Sequence, residues 1–224
     1  MNRHIITTAD GSSSIFCKNV NQHYHSHFGA IQESMHIFIK AGLCAGMLIH
    51  LDNISILEIG FGTGLNALLT FIKAEELHKK IYYETIELYP LTSQEVVELN
   101  YPSVLHYPNV KEIFATLHSV EWNKAQIISN NFTLHKRHTS ALNAFYPSNT
   151  FNLVYFDAFS PEVQPELWEK EVLQPIYESM KDNSILLTYC TKGSVKQTLK
   201  ALGFQITKLS GPLGKREILR GHKI

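Results

Sequence analysis

Three groups of residues in this chain have types and spacings that chemistry could use. The first is Glu58-Ile59-Gly60-Phe61-Gly62-Thr63-Gly64-Leu65-Asn66, which ends the apolar run Asn53–Ile59 and opens onto apolar positions at helical spacing. Glycines between a strand and a helix let backbone amides approach a ligand closely, and a nucleoside-bearing cofactor is the natural occupant. A dinucleotide fingerprint G-x-G-x-x-G starting at Gly60 needs glycine at position 65; this chain has Leu65, so the register does not suit NAD. The second group is Glu87, 23 residues past Gly64, at the strand end where open α/β sheets place a carboxylate against ribose hydroxyls. The third is Asp157, followed by Ala158-Phe159-Ser160-Pro161. It closes a strand at the carboxyl edge of the sheet, so it should face the same crevice; a helix N-cap is its plainer role, and the two are compatible.

These residues need a scaffold of alternating strands and helices. Asn53–Ile59 reads as a buried parallel strand, and Leu65, Leu68, Leu69, Ile72 and Leu77 mark one face of the helix after it. Ile81–Glu87 is the next strand, and Pro90 precedes a helical stretch LTSQEVVELN. Residues 101–131 carry Pro102, Pro108 and Trp122 without a clear period and are taken as an insertion. Strands are expected at Phe132–Lys136, Asn152–Asp157 and Ser184–Cys190, with an antiparallel pair at 204–209 and 216–220. Trp168, Val172, Ile176 and Met180 step by four along one helix after Pro165; Val195, Leu199 and Leu202 mark another that Gly203 stops. Ahead of all this, residues 4–17 form a β-hairpin turned at Asp10-Gly11, and a helix covers 30–41. The predicted fold is α/β and Rossmann-like: a seven-stranded, mostly parallel sheet with helices on both faces, spanning 53–224, and a small hairpin-and-helix extension over 1–52.

At 224 residues the chain suits one such domain. No apolar run approaches the ~20 residues of a membrane span, and the N-terminus lacks the pattern of a secretory signal, so the expected location is the cytoplasm. Cys17, Cys44 and Cys190 are odd in number and widely spaced, which argues for reduced thiols and against a zinc site. His23, His25 and His27 alternate in the manner of ligands on one strand face, but no carboxylate or cysteine supports them and no metal is expected. The net charge is zero, yet from Lys208 onward Lys208, Lys215, Arg216, Arg220 and Lys223 stand against Glu217 alone. That is +4 in the tail and −4 elsewhere, a basic edge suited to phosphates or simply a solvated charge run.

The pattern E-x-G-x-G-x-G resembles the first motif of class I S-adenosylmethionine-dependent methyltransferases, whose cationic cofactor favours nearby carboxylates such as Glu58. Further blocks resemble one family, the methyltransferase domain of MnmC and its stand-alone form MnmD. They are Tyr24-His25-Ser26, Gly29-Ala30-Ile31-Gln32-Glu33-Ser34 with Ile37-Phe38-Ile39, Gly60–Asn66, and Glu87-Leu88-Tyr89-Pro90-Leu91-Thr92. Asp157–Pro161, Pro165–Trp168, Thr191 with Gly193–Leu199, and Gly211–Glu217 complete the likeness over roughly residues 8–221. One departure is Arg137-His138, where members often carry Gly-Asp and an acidic residue meets the adenine; Thr139 or backbone groups would serve instead.

The resemblance implies methyl transfer from S-adenosylmethionine to the amine of 5-aminomethyl(-2-thio)uridine at the wobble position of tRNA. A functional link to the enzymes that install the aminomethyl group follows; a separate oxidoreductase domain does not fit in this length. Asp157 is then the proton acceptor, with Phe159 and Pro161 packing on a flipped base. Tyr24, Glu33, Glu58, Gly60, Gly62, Thr63, Gly64, Asn66, Glu87, Leu88, Thr139 and Asp157 are assigned to the cofactor pocket, and Lys215 and Arg216 to tRNA phosphates. Two alternatives stay open: a class I methyltransferase or aminopropyltransferase acting on a small amine, and a non-catalytic tRNA-binding protein that keeps the cofactor fold.

Overall fold

The computed structural model describes residues 2–224. The extension begins as a three-stranded antiparallel sheet of β1 (Arg3–Thr7), β2 (Ser13–Cys17) and β3 (Gln22–His23). Helix α1 (Ala30–Ser34) then runs directly into a π-helical stretch, Met35–Leu43, whose consecutive Ile37, Phe38 and Ile39 are all buried. The expected hairpin and helix are both present, with one short strand more than the sequence predicts.

The main body contains, in chain order, β4 (Asn53–Ile59), α2 (Leu65–Leu77), β5 (Lys80–Glu87), α3 (Ser93–Glu98), α4 (Tyr101–Val104), α5 (Val110–Ser119), β6 (Lys124–Ser129), β7 (Phe132–His138) and β8 (Phe151–Phe156). A 3-10 turn (Pro165–Trp168), α6 (Lys170–Ser179), β9 (Met180–Thr188), α7 (Gly193–Ala201), β10 (Gln205–Ser210) and β11 (Glu217–Lys223) follow. The strands form one sheet in the order β10-β11-β9-β8-β4-β5-β7-β6. The inner five, β9 through β7, are parallel, and β10, β11 and β6 are antiparallel to their neighbours.

Alternation along the strands explains why both faces are covered. On β4, Ile54 and Ile56 join the core beneath α2, α5 and the π-helix, while Leu57 and Ile59 join the core beneath α6 and α7. On β8, Leu153 and Tyr155 take the first side and Val154 and Phe156 the second. Ile15 of β2 and Phe38 of the π-helix belong to the first core, so the extension shares its hydrophobic burial with the sheet. Each fully buried side chain of this size contributes about 1.5–3 kcal/mol.

Two expectations are corrected. The sheet has eight strands rather than seven, because the stretch read as an insertion supplies β6 at the edge beside β7. This strand has no fully buried residue: Ile128 packs on the first core but shares its half-buried face with Gln126, and Ile127 is exposed, so the alternating signal is weak. Met180 opens β9 instead of ending a helix, and Trp168 lies in the 3-10 turn; both still reach the core shared by Val172 and Ile176.

The first hairpin is held to α1 by Asp10. Its Oδ2 accepts the Gln32 amide (3.0 Å) and its Oδ1 accepts the Ser12 amide (3.0 Å) and the hydroxyl of Thr8 (2.8 Å). Burial alone would raise its pKa, but the bonds from Ser12, Gln32 and Thr8 outweigh burial and hold it below the ordinary carboxylate value. A depressed folded-state pKa stabilises above the unfolded value and is lost as pH falls through the folded one. Asp10→Ala should therefore cost about 1–2 kcal/mol at pH 7 in urea denaturation, and the gap from wild type should shrink below about pH 4.

Candidate active site

The ends of β4, β5 and β8 converge on a cavity of about 740 Å³. Its floor is the glycine loop: Ile59, Gly60, Phe61, Gly62, Thr63, Leu65 and Asn66 all line it. Gly60 has φ 96° and lies so close to the end of β8 that a Cβ there would come within 2.9 Å of the Asp157 carbonyl oxygen. Gly64 has φ 73° and caps α2; a Cβ on it would press on His118 Nε2 at 2.7 Å. Gly64 itself is not part of the cavity wall, so its role is to let the loop turn over α5.

Glu87, at the end of β5, is fixed by two backbone amides: Gly62 N–H donates to Oε2 (3.0 Å) and Tyr89 N–H to Oε1 (2.7 Å). The carboxylate is thus held in the cavity wall beside the loop, at the strand end where open α/β sheets bind ribose hydroxyls. Leu88, Tyr89, Thr139, Ser140, Ala141 and Leu142 continue the wall from there. Of the pair that departs from the family pattern, Arg137 turns away to bind Glu84 (2.9 Å), and His138 Nε2 lies 3.2 Å from the Leu88 carbonyl oxygen. Thr139 lines the cavity in their place.

Asp157 faces the other side of the loop and accepts a hydrogen bond from Asn66 Nδ2 (2.8 Å). Burial pushes its carboxyl up to about 7, with the neighbouring Glu33 adding to the rise and Asn66 and Lys215 opposing it. Glu33 is itself buried; its Oε2 accepts the Ser26 amide (2.7 Å) and its Oε1 lies 2.6 Å from Lys215 Nζ. That ammonium also sits 4.1 Å from the centre of the Tyr189 ring. Tyr24 stands edge-on to Phe159 at 5.1 Å, and Gln22 reaches from the extension to Ser160 Oγ (3.0 Å).

The structure thus brings Tyr24, Glu33, Gly60, Gly62, Thr63, Asn66, Glu87, Leu88, Thr139, Asp157, Phe159 and Lys215 to one cavity. Glu58, Gly64, Pro161 and Arg216 do not line it. Glu58 lies completely buried under α2. Lys215 is turned inward onto Glu33 rather than out toward solvent, and Lys208 and Lys223 of the basic tail are likewise engaged, with Glu217 (2.6 Å) and with the carbonyls of Tyr177 and Met180. His25 is buried beside Ser14, and burial lowers its pKa to about 4. Sequence reasoning missed Gln22, Phe28 and Tyr189; the aromatic directly after β9 was the available signal for Tyr189. Among the described residues, no three His, Cys, Asp or Glu side chains are grouped to hold a metal, and no helix is long and apolar enough to cross a membrane.

A raised carboxyl pKa makes the ligand-free protein less stable as pH climbs from the unfolded value of 3.8 through about 7. Asp157→Asn removes that loss. Urea titrations should show the variant gaining on wild type between about pH 4 and pH 7, with a constant difference below that window; parallel curves across it would mean that Asp157 is not desolvated.

A family model described as S-adenosyl-L-methionine-dependent methyltransferase matches residues 107–224. The tRNA 5-methylaminomethyl-2-thiouridine biosynthesis bifunctional protein MnmC of Nitrosospira multiformis is 27% identical over 206 residues, covering 88% of this chain and 33% of that protein. The protein of the same name from Marinomonas sp. is 27% identical over 214 residues, covering 88% and 31%. The chain spans about a third of the length of these curated relatives. The crystal structure of MNMC2 from Aquifex aeolicus superposes with a TM-score of 0.82 at 25% identity, covering 98% of this chain and 69% of that one. With more than half of its length matched by the family model and its glycine loop, Glu87 and Asp157 gathered at one crevice, the chain belongs to the S-adenosyl-L-methionine-dependent methyltransferases.

Proposed function

We propose that this enzyme methylates the primary amine of 5-aminomethyl(-2-thio)uridine at the tRNA wobble position, giving 5-methylaminomethyl(-2-thio)uridine. The observation that carries the reading is the half-buried Asp157 carboxyl, facing the cavity beside the glycine loop and held by Asn66. The relatives' names, which specify 5-methylaminomethyl-2-thiouridine biosynthesis in tRNA, supply the substrate class.

S-Adenosylmethionine, when bound, supplies an electrophilic methyl group on a cationic sulfur. The residues suit it: Glu87 is already aimed by two amides, the Gly60–Thr63 loop leaves room for close backbone approach, and Thr139 and Leu142 wall the base end. The remaining work belongs to the protein. The incoming amine must be uncharged to offer its lone pair, and Asp157, its carboxyl pushed up to about 7, is matched to take its proton. Asn66 fixes one Asp157 oxygen, leaving the other for the amine. Tyr24 and Phe159 form an edge-on aromatic corner at the mouth, suited to packing a base drawn out of the anticodon loop. Positioning of this kind is worth as much as about 7–11 kcal/mol of barrier.

In this reading the 1–52 segment is an extension that walls the substrate side of a catalytic domain over 53–224, with Gln22 and Tyr24 as its contributions. Lys215 acts at the amine end as the counter-ion of Glu33 rather than on an outer phosphate. Arg216 lies outside the cavity, where a tRNA phosphate would be in reach of its charge. A cytoplasmic location and dependence on enzymes that install the aminomethyl group follow from the substrate.

The test is transfer of labelled methyl from S-adenosylmethionine to tRNA that carries aminomethyluridine, followed by nucleoside mass spectrometry. Wild type should yield 5-methylaminomethyl uridine, and Asp157→Ala should lower kcat by roughly 100-fold or more. Binding of S-adenosylmethionine without methylation of any tRNA base would instead favour an enzyme acting on a small amine.

A further inference from the structure

Glu58 is the acidic residue of the glycine-loop motif, and the cofactor's positive charge is the obvious reason to have a carboxylate there. The fold places it elsewhere. In register, Glu58 stands between Thr85 of β5 and Tyr155 of β8, on the sheet face that α2 covers. It is 0% exposed and does not line the cavity.

Its surroundings are hydroxyls, an amide and another acid. Thr85 Oγ1 donates to Oε2 at 2.7 Å. Tyr83, two residues back on β5, and Asn66, in the first turn of α2, also face the carboxyl and with Thr85 oppose the rise in its pKa, while the charge of Asp157 adds to it. Glu58 Oε1, Asn66 Oδ1 and Tyr83 Oη are buried without a satisfied hydrogen bond. None of these neighbours is a cation. An ionised carboxylate here would be stripped of water beside a second carboxyl with no counter-ion, which is among the costliest arrangements a protein core can hold. Protonation removes that cost and adds a second donor hydrogen beside that of the Tyr83 hydroxyl, with the unpaired Asn66 Oδ1 as an acceptor for it. The Asn66 amide is the link to the reacting end, because its Nδ2 holds Asp157.

We propose that Glu58 works as a neutral carboxylic acid, a positioning residue that orients the Asn66 amide against Asp157, and not as a carboxylate ligand of the cofactor's cationic groups. Burial drives its pKa up to about 8, in keeping with that geometry. The inference rests on the methyltransferase reading of the site but not on the identity of the methyl acceptor. Thr85, Tyr83, Tyr155, Asn66 and Asp157 are the polar groups that face Glu58 from β5, β8 and α2, so its protonation is set within this cluster.

Two measurements test it. The first is carbon NMR of the whole chain labelled at glutamate side-chain carboxyls, at pH 7 with and without saturating S-adenosylmethionine. One glutamate should remain protonated in both, and its signal should vanish in Glu58→Gln. A spectrum in which every glutamate is ionised overturns the proposal, and this readout needs no variant to fold. The second is calorimetric binding of S-adenosylmethionine. Glu58→Gln, a neutral isostere, should bind within fivefold of wild type and keep methyl transfer within fivefold, whereas Glu58→Leu should bind comparably but turn over more than tenfold more slowly. Weaker binding or slower turnover than fivefold in Glu58→Gln, or unchanged turnover in Glu58→Leu, contradicts the proposal. Absence of tRNA methylation by the wild type would overturn only the assigned acceptor, since the NMR and binding results stand without it.

Discussion

The close approach of the ends of β4 and β8 is the constraint on which the site depends. The Asp157 amide donates to the Ile59 carbonyl (3.1 Å), and one residue later the Gly60 amide donates to the Ile86 carbonyl of β5 (2.9 Å). The glycine loop is thereby pinned between its two neighbouring strands before any side chain is considered. Glycine at position 60 is the only residue that leaves the Asp157 backbone where it is. Glu87 and Asp157 fall on opposite sides of β4, two strand spacings or roughly 10 Å apart, and both carboxyls open onto the same cavity.

That arrangement concentrates acid with little base. Glu33 and Glu58 are buried and each interacts with the half-buried Asp157, and Lys215 is the cation that meets Glu33. Such a cluster is tense when empty, because Asp157 is held near neutrality by burial and by Glu33. A cationic ligand would relieve the tension, and in the proposed reaction an amine arriving next to Asp157 would find an acceptor whose proton affinity suits neutral pH. Stability is given up in the ligand-free state at the place where the proposed binding and proton transfer would recover it.

The parts of this that were legible in the sequence are those written in local pattern. Strand, glycine loop and helix from Asn53 to Leu77, the carboxylate at Glu87 and the strand expected over Asn152–Asp157 follow from apolar periodicity and glycine spacing; the last runs Phe151–Phe156, one residue earlier than the pattern puts it. What the sequence did not disclose depends on contacts far apart in the chain. Lys215 reads as a surface charge until Glu33 is seen beside it, and Gln22 becomes a wall of the site only because the extension folds over Ser160. Glu58 sits in a motif whose chemistry suggests a ligand, yet side-chain alternation turns it under α2, away from the cavity. β6 was invisible because an edge strand whose inward face is only half-buried, with Gln126 beside Ile128, has little pattern to read.

The central claim is that Glu87 and the glycine loop form the nucleoside half of one binding site, and isothermal titration with S-adenosylmethionine tests it most directly. Wild type should bind one equivalent, and Glu87→Gln, which keeps the side chain's shape but loses its charge against the ribose diol, should bind about tenfold or more weakly. Equal affinity in the two proteins, or no binding by the wild type, would contradict it.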